Sequence, residues 1–143
     1  MNKLFFPLLA GALLGGAGLA ATAAAGDPPA ASAAAHVATP ITQAELLARL
    51  DRKDPDLVVL DVRTADEFAA GHVPGARNVS HDLLSSRVAD LGDLRDKQVV
   101  LYCRSGRRTL LAEQTLRAAG FTRLLHLQGD FLAWEAEHRP IEK

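Results

Sequence analysis

The chain has 143 residues, with 16 Lys and Arg against 17 Asp and Glu, so it lies close to neutral, and its 48% hydrophobic content is that of a globular protein. A length in the range of roughly 100 to 200 residues per domain argues for one folded domain. The arginines are scattered among acidic residues and form no basic stripe, which argues against a nucleic-acid partner and for a small-molecule or protein substrate.

Lys3 gives a short positive start, residues 4–19 are apolar and Gly-rich, and Ala23, Ala24 and Ala25 offer the small-residue pattern of signal-peptidase cleavage. Residues 1–25 therefore read as a signal peptide. The alternative is an uncleaved anchor, since no charge falls between Lys3 and Asp27. Gly and Ala make this stretch a weak membrane span, so the expectation is export, most simply to a periplasm, with no membrane attachment after cleavage. Residues 26–39 are Ala, Pro and Ser with little else and read as a flexible tether, leaving residues 40–143 as the folded domain.

Thr42 and Glu45 have capping-box spacing, with Leu46, Leu47 and Leu50 behind them, which predicts a first helix. Asp54, Pro55 and Asp56 break it, and the apolar run 57–60 predicts a strand buried on both faces, as in parallel sheets. Thr64 and Glu67 repeat the capping box for a short helix ending by Gly71, and Pro74 and Gly75 turn the chain into a brief strand over 76–79. Residues 81–91 read as a helix closed by Gly92, and 99–102 as a second buried strand. A helix then runs to about Ala119 with Gly120 in a C-cap position, followed by a strand over 124–127 and a helix over 130–138. This alternation predicts an α/β domain with helices on both faces of a mainly parallel sheet.

Cys103 is the only cysteine, so it has no disulfide partner in its own chain. It is a buried inert thiol, half of an intermolecular disulfide, or a reactive nucleophile. Its neighbours favour the nucleophile. It stands directly after a predicted buried strand and before a helix, where the crevice of a parallel sheet binds ligands. The segment Cys103, Arg104, Ser105, Gly106, Arg107, Arg108 brings three guanidinium groups and a glycine that lets the backbone curl. Amides at a curled loop and helix N-terminus, together with arginines, favour thiolate over thiol, so no separate general base is required. The blander reading is a solvated arginine face.

Two longer patterns carry a resemblance. Residues 60–64, Glu67 and Phe68, then 71–76 with Asn78 and Val79, resemble the first signature of the rhodanese family. Residues 102–109, with Gly120 and Phe121, resemble its active-site signature. The chain is thus similar to single-domain exported rhodaneses of the phage-shock-protein-E type. The resemblance implies a five-stranded parallel sheet and a thiosulfate sulfurtransferase in which Cys103 takes a sulfur atom as a persulfide and passes it to cyanide or a thiol. It implies further that the amides of residues 104–108 cradle the persulfide and that the arginine side chains bind the small anionic donor, for which a bidentate guanidinium is suited.

Asp61 and Arg63 belong to the same pattern. A carboxylate and a guanidinium at the end of a buried strand are expected to pair and brace the neighbouring loop, ahead of substrate contact. Glu67 is expected to cap its helix, His72 to hydrogen-bond in the following turn, and Trp134 to sit in the core. Where many relatives have two glycines this chain has Gly129 and Asp130, and capping of the last helix is the expected use of Asp130, ahead of facing the pocket.

No metal or cofactor is expected, because the histidines are dispersed and neither His-x-x-x-His nor Cys-x-x-Cys occurs. A monomer is the default. A cysteine phosphatase or arsenate reductase is the enzymatic rival, but it would place its phosphate-binding arginine one position later, where this chain has Thr109. A non-catalytic module that docks a partner or delivers sulfur is the rival of a different class.

Overall fold

The computed structural model describes residues 38–143. The expected signal peptide and nearly all of the expected tether lie outside the described residues. The tether's last residue, Thr39, belongs instead to strand β1 (Thr39–Ile41), and Ala38 before it is buried, so the fold takes in slightly more chain than composition indicated. Thr39 and Pro40 are exposed at the sheet edge, and only Ile41 of the strand reaches the core, which is why no apolar run announces it.

Helix α1 (Gln43–Asp51) starts at Thr42, whose hydroxyl accepts the Glu45 N–H at 3.1 Å; only this half of the expected box forms. Strand β2 (Leu57–Asp61) leads to α2 (Ala65–Ala70), where Thr64 and Glu67 form the reciprocal box. After β3 (Arg77–Asn78) the expected single helix over 81–91 is replaced by a short α3 (Leu84–Arg87) and a 3-10 segment, Val88–Leu94, that runs through Gly92 instead of stopping there. No side chain caps α3, and the Ser86 hydroxyl donates back to the Leu83 carbonyl at 2.8 Å, so the helix is weakly held. The tighter winding still buries Leu84, Leu91 and Leu94. Strand β4 (Gln98–Tyr102), α4 (Arg107–Ala118), β5 (Leu124–Leu127) and α5 (Asp130–Ala136) complete the order.

All strands pair in parallel, in the order β1-β5-β4-β2-β3, giving the five-stranded parallel sheet that the resemblance implied. Alternation along β4 divides the core. Val99, Leu101 and Cys103 pack with Leu60, Leu84, Ala112 and Leu116 on one face; Val100 and Tyr102 pack with Leu46, Val59, Phe131 and Trp134 on the other. Removing a fully buried leucine such as Leu101 or Leu116 would cost about 2–5 kcal/mol.

The chain's last residues are fastened to this frame. Trp134 Nε1–H donates to the Pro140 carbonyl at 2.8 Å, and His72 and Glu142 exchange two backbone hydrogen bonds of 2.9 Å. Because β4 is the middle strand, its carboxyl end, and Cys103 directly after it, opens at the centre of the sheet's edge.

Candidate active site

Strand β4 delivers Cys103 to the rim, and the chain then curls through Gly106, which takes φ 97°, into α4. A side chain there would be strained by the backbone and would bring a Cβ to 3.1 Å from Asp130 Oδ2. The curl turns the Gly106 N–H onto the Cys103 sulfur at 3.0 Å. The first amides of α4 follow directly, and such first-turn N–H groups lack partners within their helix. Cys103 is only 1% exposed, and it lines a concavity of about 410 Å³ with His81, Ser105, Arg107, Arg108 and Leu111.

The three loop arginines separate. Arg107 and Arg108 line the Cys103 concavity, whereas Arg104 lines another, of about 670 Å³, with Arg63, Glu67, Phe131, Glu135 and Lys143. Arg108 is held by Glu67 through two bonds, Nη1 to Oε2 at 2.6 Å and Nη2 to Oε1 at 2.8 Å. Those bonds, with the Thr64 cap, draw the Glu67 pKa down to about 2. Glu67 raises the Arg108 pKa in turn, assisted by the charge of Cys103, so the guanidinium stays cationic beside the sulfur. Glu67 thus does more than cap α2: it lines the Arg104 concavity and holds Arg108, which lines that of Cys103.

Asp61 and Arg63 pair at the neighbouring strand end, with Arg63 Nη2 2.6 Å from Asp61 Oδ2 and both side chains buried. Arg63 also donates to the Gly71 carbonyl at 2.8 Å and lies 3.9 Å above the Phe131 ring. Burial opposes its charge, but the bonds to Asp61 prevail and hold its pKa above the usual value. Asn78 completes the turn, its side-chain amide donating to the carbonyls of Asp61 and Arg63 at 3.0 Å each.

Asp130 departs from its expected use. It does not cap α5; it is 4% exposed, has φ 52°, and turns its carboxylate under the cysteine loop. Oδ1 accepts the Cys103 N–H at 2.8 Å and the Thr109 hydroxyl at 3.1 Å, and Oδ2 lies 2.9 Å from His126 Nε2. Gly129, at φ 75°, makes the turn before it. His81 was not singled out by any motif, yet it lines the cysteine concavity, and its Nδ1 is buried without a hydrogen-bond partner. An isolated histidine in a turn carries no signal of spacing. Thr109 is fully buried and bonded to Asp130, so the position where a phosphatase would need its arginine points away from the concavity.

Residues 42–137 match the family described as Rhodanese-like domain. The chain belongs to the rhodanese-like family. A sulfurtransferase from Allochromatium vinosum is 36% identical over 86 residues, which cover 60% of this chain and 78% of that protein. Among solved structures, a rhodanese-related protein from Thermoplasma volcanium superposes with a TM-score of 0.63 at 25% identity, over 73% of this chain and 97% of its own. A thiosulfate sulfurtransferase from Pseudomonas aeruginosa gives a TM-score of 0.65 at 26% identity over 77% of this rhodanese-like chain, which spans only 21% of that enzyme.

Proposed function

We propose that this rhodanese-like protein is a sulfurtransferase in which Cys103 carries a sulfane sulfur from thiosulfate or a related small anion to a thiol or to cyanide. The observation that carries the reading is the Gly106 N–H directed onto the Cys103 sulfur at 3.0 Å, inside a concavity lined by Arg107 and Arg108. Amide and guanidinium groups around one sulfur favour the thiolate, which is the attacking form. The thiolate would attack the outer sulfur of the donor, forming the Cys103 S–S bond and breaking the donor S–S bond, with sulfite leaving on its electron pair. An acceptor thiolate or cyanide would then attack the outer sulfur of the persulfide and return Cys103 as thiolate.

Arg107 is exposed and lines the concavity, which suits it to the donor's sulfonate. Arg108, fixed by Glu67, would act mainly as a stationary positive charge beside the sulfur. Asp61 and Arg63 would brace the neighbouring turn. Arg104 would serve through its backbone in the loop, since its side chain lines the other concavity.

The N-terminal composition supports export, and we propose that the protein works as a cleaved, single-domain periplasmic enzyme of the phage-shock-protein-E type. Intact mass of the protein purified from its exported fraction, before and after thiosulfate, tests both parts. A gain of one sulfur atom that cyanide removes and that Cys103→Ser lacks is the expected result. No gain in the wild type, or an equal gain in Cys103→Ser, would reject the persulfide cycle, and a starting mass that includes Met1 would reject cleavage.

A further inference from the structure

Beneath the cysteine loop lies a carboxylate–imidazole pair, Asp130 and His126, that the sulfur-transfer steps above do not use. Asp130 supplies a buried carboxylate to three groups at once: the Cys103 main-chain N–H, the Thr109 hydroxyl and the His126 ring. We propose that Asp130 is a positioning residue that fixes the Cys103 loop from below, and that its negative charge, offset by His126, sets how readily the Cys103 thiol ionises. The proposal deepens the reading of Cys103 as the sulfur carrier and rests on it.

The geometry gives the carboxylate two separable effects. Its Oδ1 consumes the Cys103 N–H, so that amide is turned away from the sulfur, and the Thr109 bond ties the first turn of α4 to the same oxygen. Its charge sits on the group that accepts the main-chain N–H of the residue whose thiol must become an anion, and a like charge nearby disfavours the charged form. The loop rests directly on the pair, since a Cβ at Gly106 would stand 3.1 Å from Asp130 Oδ2 and 3.5 Å from His126 Cε1. The left-handed backbone at Asp130 is one that Asp, Asn and Gly tolerate.

His126 answers the charge. Its bond to Asp130 raises its pKa above the usual histidine value, with partial burial opposing and the nearby Glu113 assisting. Glu113, on α4, is itself paired with Arg117 at 2.8 Å. With His126 protonated the dyad is neutral and the thiolate is unopposed by it. As pH rises through the His126 titration the dyad becomes an anion, and ionisation of Cys103 meets a growing penalty. The two titrations are therefore coupled, and the thiolate should form over a broader pH range than a lone thiol shows.

Asp130→Asn separates charge from architecture. The Asn Oδ1 can keep both loop bonds, and its amide can donate to His126 in the other tautomer. The measurement is the thiolate ultraviolet absorbance of the full protein against pH, with Cys103→Ser as the blank, for wild type, Asp130→Asn, Asp130→Gly and His126→Gln. We expect Asp130→Asn to lower the midpoint by about half a pH unit or more, roughly threefold in the thiolate-to-thiol ratio, and to steepen the curve. Asp130→Gly should lower it as well, and His126→Gln should raise it. A midpoint in Asp130→Asn within about 0.2 units of wild type, with His126→Gln also unchanged, would overturn the proposal and leave Asp130 a structural residue. Sulfur loading of the same proteins by mass keeps the two readings apart: shifted midpoints with no sulfur uptake would reject sulfur transfer while sustaining the positioning role.

Discussion

The Glu67–Arg108 bridge permits a prediction with both size and sign. Glu67→Gln removes the charge that grips Arg108 at 2.6 and 2.8 Å, while the glutamine can still accept the Thr64 N–H that the carboxylate takes at 3.1 Å. A pKa drawn from 4.5 to about 2 corresponds to an upper limit of about 3 kcal/mol of stabilisation at neutral pH. The Arg108 and Glu67 side chains are 23% and 28% exposed, so solvent screening reduces this, and about 1–2 kcal/mol is expected. Because the folded-state pKa is depressed, the stabilisation is complete above the unfolded value near 4.5 and fades as pH falls towards 2. Urea unfolding followed through Trp134, the single tryptophan, measures it at neutral and acidic pH. The variant should be less stable at pH 7, and the gap should narrow as acid protonates Glu67 in the wild type. A gap below about 0.3 kcal/mol at pH 7, or one of equal size in acid, would refute the assignment of the bridge as a stabilising ion pair.

Two further substitutions test the frame around the site. Asp61→Asn leaves the buried Arg63 charge without its anion and should cost about 3–5 kcal/mol in urea unfolding, while the double variant Asp61→Asn, Arg63→Met should recover part of the loss; no recovery would argue against an uncompensated charge as the cause. Gly129→Ala forces a side chain onto φ 75° with its Cβ 2.4 Å from the Ala133 Cβ, and should lower the thermal midpoint by a loss of about 1–3 kcal/mol; an unchanged midpoint would show that the turn before α5 yields at little cost.

The fold was legible wherever burial wrote itself into runs and caps. Residues 57–60 and 99–102 are continuous apolar runs because both faces of a central parallel strand are covered, and Thr64 with Glu67 marked α2 because capping is a local interaction. Strand β1 was not legible, since it adds to the sheet edge through backbone bonds to β5 and buries only Ile41. The helix expected over 81–91 is instead the short α3 followed by a 3-10 segment, because the spacing of Leu84, Leu91 and Leu94 reports burial without fixing the winding between them. Cys103 and its loop were conspicuous as a cluster of chemistry in adjacent positions. Glu67 and Arg108 are 41 residues apart and meet only in three dimensions, so a pattern that read each locally gave Glu67 a cap and Arg108 a ligand.

That same distinction explains how the site balances its charges. Two carboxylates bonded to the cysteine loop, Glu67 and Asp130, play opposite parts according to their partners. Glu67 faces Arg108 and is spent on it, which fixes a cation beside the sulfur without leaving a free negative charge at the concavity. Asp130 lies behind the loop, bonded to the Cys103 amide, and its compensation comes from a titratable imidazole instead of a permanent guanidinium. On the proposed reading, the charge beside the sulfur on the Arg108 side is permanent and positive, whereas the dyad beneath the loop passes from neutral to anionic as His126 loses its proton.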